Sequence, residues 1–158
     1  MTWCEKVSAL RKGPTMIAEM VMRKQQAKFL AALGAMDAER VGRLFPADAV
    51  LEFPAGTPMA GEWRGRAEIT AVFAAMFAHN TSISVSEDWY LAALHPWSPT
   101  GTMRLYSEWR LTEVGVDGDV WRSGEVVVME VRHRRIVRVR ALFHDLPGLV
   151  THLSLIHI

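Results

Sequence analysis

Glu125 is the residue whose type and surroundings best suit acid or base chemistry. It lies in a segment, Val120–Arg132, whose apolar and polar residues alternate as in a β-strand. This alternation places Glu125 on the same face as Trp121 and Val127. Burial among them would raise the pKa of the Glu125 carboxyl toward neutral pH, because an apolar environment disfavours the charged form. The alternative is a carboxylate in water at the rim of the sheet, beside an arginine.

His144 and Asp145 form a second group of ionisable residues, at the end of the last predicted strand, Arg135–His144. A histidine and a carboxylate can move protons near neutral pH. Neighbouring strand residues point to opposite faces, so at most one of the two is expected to enter a pocket. The alternative is a polar turn before Pro147. Glu125, Asp145 and His144 are the predicted catalytic residues.

Composition limits the other kinds of site. The chain has 158 residues, with 18 Lys and Arg against 17 Asp and Glu. Because the numbers of basic and acidic residues are nearly equal, neither nucleic acid nor an anionic membrane is expected as the main partner. The basic run Arg132–Arg135 is a candidate phosphate or nucleic-acid site, but it is more typical of a hairpin turn with solvated side chains. No Cys/His spacing resembles a zinc site, and we expect no metal and no cofactor.

Length and the single cysteine predict one domain in a reducing compartment. A chain of this size buries one core, which we place over residues 16–149. Residues 1–15 form a poorly defined extension, and residues 150–158 a tail whose last six residues resemble a translated sequencing adapter. Cys4 has no partner for an internal disulfide, and no apolar run reaches the about 18 residues of a membrane span. We expect a cytoplasmic protein.

The order of the predicted elements is helices first and strands afterwards. Helical spacing covers Met16–Leu33, a short segment capped by Asp37, and Arg66–His79, with a short strand at Ala49–Phe53. After Asn80 the two-residue period of strands prevails. Short connections favour an antiparallel meander, so the class is α+β with helices on one face of the sheet.

Four segments, in this order, resemble the NTF2-like superfamily, whose small members include SnoaL-like cyclases, ketosteroid isomerases and limonene-epoxide hydrolases. They are Lys28–Asp37, Leu44–Pro54, Gly61–Ile69 and Arg135–Asp145. The resemblance implies a cone in which three N-terminal helices pack on a curved antiparallel sheet and enclose a pocket. The predicted pocket lining is Phe29, Phe53, Trp63, Phe73, Trp109, Trp121, Val127, Ala141 and Phe143.

The catalytic residues of the ketosteroid isomerases are not retained. Phe29 stands where the resemblance places a tyrosine, Phe53 stands where it places the general-base aspartate, and Val127 falls near the second oxyanion donor. A phenyl ring has neither a titratable proton nor a hydrogen-bond donor. Isomerisation by that mechanism is therefore not expected. The Arg and Asp pattern of the epoxide hydrolases is also missing.

The resemblance implies a SnoaL-like enzyme that uses general acid/base chemistry on a small hydrophobic substrate, of isomerase, cyclase or epoxide-hydrolase type. The alternative is a noncatalytic dimeric module that binds a small hydrophobic ligand, which Phe29 and Phe53 favour. In either case we expect a homodimer through the outer face of the sheet, where Arg104, Tyr106, Glu108 and Arg110 alternate with apolar residues. The substrate and the reaction type are open.

Overall fold

The computed structural model describes residues 14–94 and 101–154. Within these ranges the predicted α+β class is confirmed, with one helix more than expected. The helices are α1 (Pro14–Gly34), α2 (Ala38–Gly42), α3 (Gly65–His79) and α4 (Leu146–His152). The strands are β1 (Val50–Phe53), β2 (Gly61–Arg64), β3 (Asn80–Leu94), β4 (Met103–Gly115), β5 (Val120–Arg132) and β6 (Arg135–Phe143).

The strands form one sheet in the order β2-β1-β6-β5-β4-β3. Strands β3 to β6 make the predicted antiparallel meander. Strand β1 adds parallel to β6 and antiparallel to β2. The two-residue period is clearest in β4, where alternate side chains are buried on one face: Met103, Leu105, Ser107, Trp109, Leu111 and Glu113.

A two-residue turn joins β5 to β6, at the predicted position. Arg132 pairs with Arg135, and the residues between them, His133 and Arg134, have φ angles of 49° and 63°. Two successive positive φ angles are the pattern of a type I′ turn. Next to the turn, the pairing of β5 with β6 shifts register between Glu130 and Val131. Val131 pairs with Ile136, which is buried. From Val139 onward the side chains alternate in and out as the sequence predicts.

The helices cover the buried face of the sheet. Asp37 caps α2 as predicted, since its carboxylate accepts a hydrogen bond of 2.8 Å from the Arg40 N–H. Phe29 of α1 joins the layers. Its ring meets Phe73 of α3 edge-on, with centroids 5.9 Å apart, and lies 6.0 Å from the Trp109 ring of β4. No helix in the described ranges is both long enough and apolar enough to span a membrane.

Helix α4 was not predicted from the sequence, and neither was strand β2. The helix is seven residues long, and Asp145 caps it by accepting a hydrogen bond of 3.0 Å from the Gly148 N–H. Leu149 and His152 of the helix are buried, and so is Leu153 just after it. Packed residues therefore extend to Leu153.

Gly65 provides a test of how β2 leads into α3. Its φ is +76°, and a Cβ there would lie 2.8 Å from the Ala47 carbonyl oxygen. We predict that Gly65→Ala lowers the free energy of unfolding by about 2 kcal/mol or more, because left-handed strain of about 1–2 kcal/mol adds to a backbone clash. Urea denaturation measures the loss. Gly118→Ala is the control, since φ is +85° there but nothing lies within 4 Å. Equal losses in the two variants would contradict the clash.

Candidate active site

A largely apolar cavity of about 40 Å³ lies between the helices and the buried face of the sheet. Its wall contains seven of the nine predicted lining residues: Phe29, Phe53, Phe73, Trp109, Val127, Ala141 and Phe143. Among the described residues, the ionisable groups in this wall are Glu113 and Glu125. A space of this size holds a few water molecules at most. A larger ligand therefore requires side chains of the wall to move.

Glu125 lies in the wall on β5, opposite Trp109 of β4 and Phe143 of β6. The residue is 6% exposed. Its carboxyl group forms no hydrogen bond with a described residue, and burial and the charge of Glu113 are the two influences on its pKa. Burial is the larger of the two, and together they raise the pKa of Glu125 to about 8. Glu125 is therefore protonated at neutral pH, and it presents a neutral carboxyl group to the cavity.

Glu113, two positions after Leu111 on the buried face of β4, has a different environment. The Asn80 side-chain amide donates a hydrogen bond of 3.0 Å to its carboxylate, and His152 Nε2 lies 3.6 Å from the same oxygen. Burial raises the pKa of Glu113, while His152, Asn80 and His79 act in the opposite direction. The two carboxyl groups therefore differ in kind, because Glu113 has polar partners and Glu125 has none.

His152 of α4 connects Glu113 to the surface. Its Nδ1 lies 3.0 Å from the carboxylate of Asp119, and its Nε2 lies 3.1 Å from the Asn80 side-chain oxygen. The Trp121 ring stacks on the imidazole at 6.2 Å. The hydrogen bond with His152 lowers the pKa of Asp119, whose side chain is 59% exposed. A continuous series of polar groups thus runs from bulk water to Glu113.

The sequence pattern did not predict this series of polar contacts. Its members come from the start of β3, from β4, from the turn before β5 and from α4. No sequence spacing links residues that the fold brings together across some 72 positions, as it does Asn80 and His152. The one usable signal was Glu113 itself, because it follows Leu111 by two residues and so shares its face.

The structure places His144 and Asp145, two of the predicted catalytic residues, outside the cavity wall. Both are exposed. His144 covers Gly124, whose neighbour Glu125 faces the cavity, so His144 is on the opposite side of the sheet. Strand β6 ends at Phe143, and Asp145 instead caps α4. The physical reason is that the chain turns into a helix where the strand was expected to reach the pocket mouth.

Trp63 and Trp121 also lie outside the cavity wall, contrary to prediction. Trp63 is half-buried near the sheet edge, where its indole N–H donates a hydrogen bond of 2.8 Å to the Met59 carbonyl. Trp121 is buried, but its ring packs between His152 and Phe143. The indole N–H of Trp109, which does lie in the wall, is buried and has no acceptor among the described residues.

Comparison with known proteins identifies relatives of the fold. A family model described as a SnoaL-like domain matches residues 27–139. Bal32a, from a soil-derived mobile gene cassette, shares 20% identity over 84% of this chain and 96% of its own, with a TM-score of 0.68. A protein of unknown function from Mycobacterium tuberculosis shares 15% identity over 90% of this chain and 91% of its own, with a TM-score of 0.69.

A third structure contains a bound small molecule. It is a protein with a ketosteroid isomerase-like fold from Catenulispora acidiphila, in complex with trimethylamine. It shares 14% identity over 75% of this chain and 83% of its own, with a TM-score of 0.61. At these identities the similarity concerns the fold alone. No protein of curated function matches the chain.

The raised pKa of Glu125 predicts how stability depends on pH. Because the folded state holds this proton up to pH about 8 and the unfolded state releases it near 4.5, the stability that the proton provides falls as pH rises between these values. Glu125→Gln cannot ionise, so its free energy of unfolding should lack this fall. We predict that the free energy of unfolding of the variant, relative to that of wild type, rises by about 4 kcal/mol from pH 5 to pH 9. Urea denaturation at both pH values measures this. Glu130→Gln, on the opposite face of β5, is the control. A pH dependence unchanged by Glu125→Gln would contradict the assignment.

Proposed function

The chain belongs to the SnoaL-like domain family, and we propose that it is an enzyme that applies general acid/base chemistry to a small hydrophobic substrate. The observation that carries this proposal is the carboxyl group of Glu125, which lies in an apolar cavity wall without a hydrogen-bond partner among the described residues. Taking a carboxyl group largely out of water costs free energy unless a hydrogen bond replaces the lost water, and Glu125 is only 6% exposed. A substrate oxygen atom in the cavity would accept such a hydrogen bond.

Glu125 is the proposed general acid. Since the pKa of Glu125 is about 8, its carboxyl group carries a transferable proton at neutral pH. It would donate this proton to a carbonyl or epoxide oxygen, and the resulting carboxylate would then accept a proton from carbon or from water. This sequence serves isomerase, cyclase and epoxide-hydrolase chemistry alike. Which of them occurs depends on where the second proton comes from.

Trp109 is the proposed second hydrogen-bond donor. It is paired directly with Glu125 across β4 and β5, and its indole N–H is buried without an acceptor. A neutral N–H group can stabilise negative charge that develops on a substrate oxygen, and it exchanges no proton. Its role would therefore be to orient and polarise the substrate while Glu125 moves the proton.

Glu113 is the proposed positioning residue. Its negative charge raises the pKa of Glu125, and Asn80 and His152 hold its carboxylate in place. In this arrangement Glu113 keeps the proton on Glu125 and does not itself transfer a proton to the substrate. The polar series through His152 to Asp119 provides a route by which charge at Glu113 can respond to bulk water.

The substrate must be small or the cavity must widen. The cavity volume is about 40 Å³, whereas sites for drug-sized ligands occupy about 300–1,000 Å³. Met76 of α3 and Leu149 of α4 both lie in the wall, and an unbranched methionine side chain moves readily. The relative of this fold that holds trimethylamine is consistent with a very small ligand. The cavity walls favour an apolar one.

The second candidate function is a noncatalytic module that binds a small hydrophobic ligand. Phe29 and Phe53 favour it, because both lie in the cavity wall where the ketosteroid isomerases carry polar groups. In this case Glu125 would only donate a hydrogen bond to the ligand. The two candidates share a pocket and differ in whether the proton leaves Glu125.

A second copy of the chain is the proposed partner, through the outer face of the sheet. Two ion pairs cross this face, Arg104–Glu130 at 3.0 Å and Arg110–Asp88 at 2.7 Å. Exposed apolar side chains accompany them, with Trp89 at 51%, Leu91 at 51% and Leu142 at 47% exposure. Aromatic groups among paired charges suit a self-complementary contact. We place the protein in the cytoplasm, where its single cysteine stays reduced.

Turnover on a panel of enones, epoxides and polyketide mimics tests the enzyme proposal. We predict a kcat/KM that falls as pH rises through about 8, because Glu125 must be protonated. Glu125→Gln should lower kcat/KM by about 100-fold or more, and Glu113→Gln should move the alkaline limb to lower pH. Glu39→Gln, which removes an exposed carboxylate of α2 outside the cavity, is the control. If Glu125→Gln turned over substrate as fast as wild type, Glu125 would not be the general acid. If the wild-type protein bound these compounds without turnover, the noncatalytic module would be favoured.

A further inference from the structure

A second cleft, separate from the cavity, is lined by basic side chains. It has a volume of about 180 Å³ and lies where α1, the segment after α2, the start of α3 and the β5–β6 turn meet. Gln25, Leu44 and Phe45 complete its wall, and no acidic residue of the described chain lies in it. The five basic residues of this cleft are Lys28, Arg43, Arg66, Arg134 and Arg135.

None of these five cations forms an ion pair with an acidic residue in residues 14–94 and 101–154. Arginines close to them in the sequence are paired: Arg132 with Asp48, and Arg138 and Arg140 with Glu52. Removing the five from a chain of 18 basic and 17 acidic residues leaves 13 against 17. Apart from the five residues of the cleft, the sequence therefore contains more acidic than basic residues.

The turn between β5 and β6 places two of these cations at a conformational cost. His133 and Arg134 have positive φ angles, 49° and 63°. Asn-Gly is the dipeptide that adopts such a turn with least strain, and residues other than Gly, Asn and Asp resist it. The chain uses His-Arg instead, and Arg134 and Arg135 then line the cleft. Backbone strain of this kind is typical of functional positions.

Arg66 is fixed in the cleft by the backbone. Its Nε and Nη2 donate hydrogen bonds to the Phe45 carbonyl at 3.4 and 3.3 Å. The Nη1 amino group has no partner among the described residues. A guanidinium held in this way retains N–H donors for an oxygen-rich ligand, and it recognises phosphate geometry well.

We propose that this cleft binds a compact polyanion of the pyrophosphate class, as a free ion or as the diphosphate part of a small molecule. Five cations around a concave space match several negative oxygen atoms close together. An extended nucleic acid fits less well, because it requires a positive stripe and the rest of this chain has an excess of acidic residues. The site is independent of the cavity and of the reaction proposed for it.

Isothermal titration calorimetry with inorganic pyrophosphate at low salt tests the proposal. We expect saturable binding of one ion per chain, weakened about tenfold or more in Arg43→Gln/Arg135→Gln, because two charge-assisted contacts are lost. Arg134→Gly should bind more weakly and yet melt at a higher temperature, since glycine relieves the strain of the turn. Arg122→Gln, an exposed arginine of β5 outside the cleft, is the matched control and should bind like wild type.

Three results would each overturn the proposal. The first is the absence of saturable pyrophosphate binding to wild type. The second is equal weakening by Arg122→Gln, which would indicate a response to overall charge alone. The third is binding of duplex DNA, or of vesicles that contain phosphatidic acid, through Arg43 and Arg135 without competition from pyrophosphate. A free diphosphate ion and a diphosphate-bearing molecule are distinguished by comparing pyrophosphate with adenosine diphosphate.

Discussion

The burial of the Glu125 carboxyl group in an apolar wall is the constraint on which the rest of the account depends. An ionised carboxylate without a partner is very costly in such a place, so the fold keeps the neutral form instead. The large aromatic side chains around it, Phe29, Trp109 and Phe143, exclude water. The apolar core that stabilises the cone is therefore also what raises the pKa of Glu125.

Glu113 shows that a place in the cavity wall does not by itself determine the environment of a carboxyl group. Glu113 shares the buried face and the cavity wall with Glu125, yet Asn80 and His152 give it hydrogen-bonding partners. Helix α4 delivers His152, and Asp119 links that imidazole to water. Two glutamates on neighbouring strands thus have unequal environments, which is the arrangement that acid/base enzymes use to separate the pKa values of paired groups.

The sequence predicted what depends on local period and missed what depends on contacts between distant segments. Alternation along β5 placed Glu125 inward, because a strand with one buried face has little freedom of register. The same alternation does not apply beyond the end of a strand. Strand β6 ends at Phe143, and His144 and Asp145 belong to the turn that leads into α4. The partners of Glu113 were beyond reach, because Asn80 and His152 meet only in the folded chain.

The most direct test of the account is the titration of Glu125 itself. Carbon-13 NMR of the side-chain carboxyl groups, in protein labelled at glutamate, gives one titration curve for each residue, and the signal missing from Glu125→Gln assigns the curve. We predict a midpoint at pH about 8 for Glu125, far above its ordinary value of 4.5. A midpoint near 4.5 would contradict it, because Glu125 would then be ionised at neutral pH and could not serve as the acid.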